Sequence, residues 1–108
     1  RRTLPASGVD SDVAYEISVA AQWADTHGIP RDRILMGEFG ALHSVDDVAQ
    51  PMQWYHAFLD AKRQAAEAAG MGWAVLSWSG GMGIAAPDAP DRRMSPDTCR
   101  ALGLPCGD

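Results

Sequence analysis

Two short and almost wholly apolar runs, Ile34 to Leu42 (ILMGEFGAL) and Trp73 to Trp78 (WAVLSW), constrain this chain more than any other feature. Neither alternates apolar with polar residues, as a strand with one wet face does, so each reads as a strand buried on both sides. The residues between them carry one helical pattern, and a strand, a helix and a strand in that order, with a crossover of about thirty residues, form a right-handed parallel βαβ unit. A parallel sheet needs cover on both faces. The chain reads α–β–α–β–α, and two strands with three helices cannot enclose such a sheet. Either the chain pairs with copies of itself, or it is a piece of a larger α/β domain whose other strands lie upstream. The second explanation is the simpler.

The remaining elements follow from local signals. Arg1 to Asp10, with Pro5 and Gly8, reads as an irregular lead-in. A helix capped by Asp10 or Ser11 follows, with Val13, Ile17, Ala20, Ala21 and Ala24 at helical spacing and Tyr15, Val19 and Trp23 widening the apolar face. His27-Gly28 ends it, and residues 29–33 form a loop into the first strand. A polar loop with His43, Ser44, Asp46 and Asp47 comes next, then Pro51 where a first helical turn accepts proline. The second helix spans Met52 to Ala69 with a stripe of Trp54, Tyr55, Phe58, Leu59, Ala65, Ala66 and Ala69, and Gly70 stops it. On the second strand Trp73 packs on a helix; after it, residues 79–93 are a glycine- and proline-rich loop, and Ser95 caps a last helix to Leu102.

Composition narrows the partners. With 108 residues, 46% hydrophobic and 21% charged, the chain suits one modest domain with a core. A net charge of −5 disfavours nucleic acid and anionic membrane, while neutral sugars are unaffected. No apolar segment approaches the roughly 20 residues of a membrane span, and the first ten residues lack the apolar stretch of a signal peptide. Cys99 and Cys106 either close a small disulfide loop or stay as thiols. There is no C-x-x-C pair, and Asp46 and Asp47 with His43 lack a fourth ligand at suitable spacing, so no metal is assigned.

Glu38 stands out because it closes an apolar strand between Gly37 and Gly40, residues that permit a bend or a close approach. A carboxylate there is costly unless it is hydrogen-bonded, paired, or facing a wet cleft, although a solvated strand-end glutamate has the same spacing. His43, five residues on, can reach a sugar hydroxyl or the Glu38 carboxylate, or simply be solvated. His56 fits a structural or exposed role.

The succession AAQWADTHGIPRDRILMGEFGAL, KRQAAEAAGMGWAV and SWSGGMGI resembles the last quarter of a glycoside hydrolase family 5 enzyme, the cellulase-like retaining glycosidases, from about Val13 to Leu104. The resemblance implies an α/β fold, the C-terminal fragment of a (β/α)₈ TIM barrel, with residues 1–108 as one partial domain holding its last two βα units. It implies Glu38 as the catalytic nucleophile at the tip of the seventh strand, a polysaccharide or oligosaccharide substrate, no cofactor, and a secreted or periplasmic location. The family's acid follows an asparagine on the fourth strand. This chain contains no Asn, so the acid belongs to a missing N-terminal portion and these residues alone are catalytically silent. The family also carries a tryptophan near the end of the eighth strand. Aligning Gly83-Ile84 puts Leu76 there, and Trp78, two residues on and on the same face, is the expected sugar platform, against the alternative that it packs under the final loop.

Two other classes compete. Ser77-Trp78-Ser79-Gly80-Gly81 imitates the nucleophile elbow of α/β-hydrolases, with Ser79 as an esterase nucleophile. In that fold the histidine follows the serine, whereas His27, His43 and His56 all precede Ser79, and prolines at 87 and 90 break the helix the elbow should open. The other is a non-catalytic remnant that binds carbohydrate or nothing.

Overall fold

The computed structural model describes residues 6–85 and 93–105, with side chains from residue 12 onward. In chain order it contains α1 (Ala6–Thr26), a single 3-10 turn (Arg31–Arg33), β1 (Leu35–Phe39), a hairpin of β2 (Ser44–Val45) and β3 (Val48–Ala49), α2 (Met52–Ala68), β4 (Gly72–Val75) and α3 (Pro96–Ala101). β1 and β4 pair in parallel, as the βαβ order requires.

α1 begins earlier than expected. Ala6 to Asp10 are helical, so Asp10 and Ser11 lie inside the helix and do not cap it. In sequence Pro5 immediately precedes this start, a position where proline punctuates a helix without interrupting it. Val13, Ile17, Ala21 and Ala24 are buried as the stripe demands, but Tyr15, Val19 and Trp23 are 71%, 52% and 52% exposed. Each follows a buried residue by two positions, about 200° around the helix, so they form the opposite face and do not widen the buried one. Gly28, at φ +66, ends the helix, and the Ile29 amide donates to the Ala24 carbonyl at 2.8 Å.

The loop after β1 contains a hairpin that a polar sequence conceals. Ser44 pairs with Ala49 and Val45 with Val48, and the turn residues Asp46 and Asp47 have φ of 51 and 62. Positive φ at both central residues is the mark of a two-residue type I′ turn, which aspartate tolerates.

β4 begins one residue before the apolar run and ends three residues short of it. The Leu76 amide still donates to the Phe39 carbonyl at 2.7 Å, but the Ser77 amide turns to Met82 (3.4 Å), while Ile84 and Ala85 donate to the Ser77 and Trp78 carbonyls at 2.9 Å each. The ladder thus changes partner from β1 to the returning chain. The peptide bond Leu76–Ser77 is cis.

The core has two parts. Val13, Ile17, Ala66 and Met71 join α1 to α2, and Phe39, Tyr55, Leu59, Ile84, Ala101 and Leu102 join the strand tips to α2 and α3. Trp73 packs on both clusters, whereas Trp54 is exposed, outside the stripe expected of it. α3 has the expected cap, with the Thr98 amide donating to Ser95 Oγ at 3.2 Å. Cys99 is disulfide-bonded, and Cys106 lies outside the described residues. Among the described residues, no helix is long and apolar enough to cross a membrane, and no group of His, Cys, Asp and Glu is placed to hold a metal.

Candidate active site

A bulge sets the direction of Glu38. Leu35 pairs with Gly72 and Met36 with Trp73, but the next pair is Phe39 with Val75, so β1 has one residue more than β4 across the same step. The extra residue lies at Gly37–Glu38. Met36 and Phe39 therefore share the face packed on the helices, with Trp73 and Val75 beside them. Glu38 falls among exposed residues, and no described residue pairs with its carboxylate.

The two strand tips touch just beyond it. A Cβ placed on Gly40 would lie 2.1 Å from the Leu76 carbonyl oxygen, so only glycine lets the chain pass there, the close approach expected from the GEFG motif. Gly37 has nothing within 4 Å of such an atom. Leu76 and Trp78, 38% and 51% exposed, sit on the segment leaving β4. Glu38 and Trp78 thus belong to adjacent strand exits tied by the Leu76–Phe39 hydrogen bond.

His43 is differently placed. Its amide donates to the Gly81 carbonyl at 2.8 Å and joins the loops after β1 and β4. Its ring lies edge-on to Tyr55, with centroids 4.9 Å apart, and its Nε2 is buried without a partner. No hydrogen bond links it to Glu38. His56 is structural, its Nε2 lying 3.0 Å from Thr98 Oγ1 across the α2–α3 contact. Burial pushes its pKa down, opposed by Asp97, while Arg100 and His43 add to the lowering.

Tyr55, which the sequence pattern places in a helical stripe, also reaches the loop after β4. It is 3% exposed, and its hydroxyl donates to the carbonyls of Gly83 (3.1 Å) and Met82 (3.3 Å), holding the loop after β4. Burial raises its pKa. Ser79 begins no helix: residues 78–82 are bends and turns, and Gly80 has φ +90. An α/β-hydrolase elbow has no counterpart here.

No family model matches the chain, and no curated protein matches it. Solved structures do. An endoglucanase superposes with a TM-score of 0.68 at 21% identity, over 87% of this chain and 28% of its own. A hyperthermophilic endo-beta-1,4-glucanase in complex with substrate gives 0.68 at 23%, over 87% and 27%. The cellulose synthase subunit Z of Clostridioides difficile gives 0.68 at 22%, over 86% and 28%. The chain spans little more than a quarter of each of these structures. At such identity the likeness is one of fold: a mixed α/β unit with two parallel strands, corresponding to part of a cellulase-like barrel.

Proposed function

We propose that these residues are the C-terminal two βα units of a retaining β-glycosidase of the family 5, cellulase-like kind, acting on a β-linked polysaccharide or oligosaccharide outside the cytoplasm. Glu38 is its nucleophile. The observation that carries this is the bulge at Gly37–Glu38, which leaves a carboxylate with no partner among the described residues on the uncovered side of a parallel strand pair, at the strand tip where α/β barrels hold their chemistry. The fold shared with endoglucanases supports it.

In the reaction, a Glu38 carboxylate oxygen attacks the anomeric carbon as the glycosidic bond breaks. A second carboxylic acid, supplied by the upstream portion about 5 to 5.5 Å away, protonates the leaving oxygen. The covalent glycosyl-enzyme is then hydrolysed by water, which the same acid activates as a base. Trp78 supplies an exposed indole for stacking on a sugar ring, and His43 a half-buried imidazole on the loop after β1. A complete barrel needs roughly 250 residues, so the 108 residues alone are inactive.

The test uses the complete polypeptide. An activated 2-fluoro-glycoside should label Glu38 covalently, and Glu38→Gln should abolish both label and turnover. Labelling of another carboxylate, or full activity in Glu38→Gln, rejects the assignment.

A further inference from the structure

The loop that carries Trp78 is rich in glycine and has little conformational preference of its own. Gly80, Gly81 and Gly83 occupy three of its five central positions, and Gly80 sits at φ +90. Something outside the loop must choose its shape. Across its neck the Ser77 amide donates to the Met82 carbonyl at 3.4 Å, and the Ile84 and Ala85 amides to the Ser77 and Trp78 carbonyls at 2.9 Å each. At its tip the Gly83 amide donates to the Gly80 carbonyl at 2.9 Å and the Ser77 hydroxyl to the Ser79 carbonyl at 2.7 Å, and the His43 amide holds the Gly81 carbonyl from outside at 2.8 Å. Its side-chain anchor in the helical layer is the Tyr55 hydroxyl, which donates to the carbonyls of Met82 and Gly83.

Gly83 transmits that hold. A Cβ there would meet the Ser79 backbone at 2.7 Å and the Trp78 carbonyl oxygen at 3.0 Å, so Gly83 is pressed against the two residues that set the Trp78 indole. Resting on the proposed function, we propose that Tyr55 is a positioning residue: its hydroxyl fixes Gly83, and through Gly83 the tilt and height of Trp78 as a platform for a β-linked sugar. Tyr55 itself touches no substrate. Its ring is wedged edge-on between His43 and His56, with centroids at 4.9 and 5.6 Å, so Tyr55→Phe keeps the packing and removes only the hydroxyl.

The experiment compares Tyr55→Phe and Trp78→Ala in the complete polypeptide. Cellotetraose affinity is measured in a Glu38→Gln background to prevent turnover, the split of KM against kcat in the active background, and hydrogen exchange across residues 77–85. Trp78→Ala should weaken cellotetraose binding. Tyr55→Phe should weaken it by roughly three- to tenfold, the worth of one hydrogen bond. It should also raise KM with kcat unchanged and speed exchange at Ile84 and Ala85, whose amides close the loop on Ser77 and Trp78. Unaltered affinity and exchange in Tyr55→Phe, with Trp78→Ala weakened, overturns the positioning role and leaves the glycosidase reading standing. A fall in kcat with KM unchanged also overturns it, since that marks loss of folded enzyme. Unaltered affinity in Trp78→Ala removes the platform, and the positioning role with it.

Discussion

Gly40→Ala tests the contact that brings the two strand exits together. The added Cβ would lie 2.1 Å from the Leu76 carbonyl oxygen and 3.0 Å from Met82 Cε. The methionine end can swing away; the carbonyl is backbone and cannot. A comfortable carbon–oxygen contact is about 3.3 Å or more, so the strand tips must part by about 1.2 Å. The Leu76 amide to Phe39 carbonyl bond, now 2.7 Å, lies in the path of that movement and is stretched beyond useful length. Overpacking costs about 1–3 kcal/mol and the lost bond about 0.5–1.5, so Gly40→Ala should cost about 2–4 kcal/mol. Gly37→Ala is the control. Nothing lies within 4 Å of its added atom, and exchanging a strand glycine for alanine stabilises by about 0.5 kcal/mol. Urea denaturation of the complete polypeptide, followed by circular dichroism, reads both. Gly40→Ala within about 0.5 kcal/mol of the parent, or Gly37→Ala as damaging as Gly40→Ala, would refute the close approach.

Two further outcomes follow from α3 and its contact with α2. Ser95→Ala removes the acceptor of the Thr98 amide and should cost about 1 kcal/mol in the same urea assay, while Ser95→Asp keeps the cap. His56 resists protonation when folded, whereas the unfolded chain takes up its proton near 6.5, so this group's contribution to stability is complete above that pH and is lost as pH falls toward the folded value. Denaturation midpoints between pH 7.5 and 5.5 should therefore fall less steeply in His56→Gln than in the parent, and parallel slopes would contradict the burial effect.

The order of elements was legible because it rests on patterns that survive without tertiary detail. The apolar runs at Ile34 and Trp73 predict a parallel pair, Ser95 predicts a cap, and Gly40 predicts a close approach. What stayed hidden depended on geometry finer than the pattern. The bulge at Gly37–Glu38 adds one residue to one strand and shifts the face of everything after it, which no single-strand pattern can reveal. The Asp46-Asp47 turn looks like loop polarity until both φ angles are known. Tyr55 satisfies a helical stripe with its ring, and the same stripe masks what its hydroxyl does. The early start of α1 is hidden because Pro5 and Gly8 signal irregular chain, although a proline just ahead of a first helical turn interrupts nothing.

The distribution of uncovered apolar surface ties these observations to the glycosidase reading. Met36, Phe39, Trp73 and Val75 face the helices, while Leu35, at 62% exposure, and Leu76 and Trp78 stand bare with Glu38. Parallel sheets stay apolar on a face only when something covers it, and leucine on β1, with leucine and tryptophan on the exit from β4, stands where an independent two-layer protein would carry lysine or serine. A barrel resolves this, because its interior face is filled by side chains from strands on the far side, leaving water access only at the tips. On this bare face Leu35 opens β1, Glu38 lies near its end, and Leu76 and Trp78 stand on the exit from β4. Leucine and tryptophan left bare around one carboxylate fit a strand pair that the other strands of a barrel would cover.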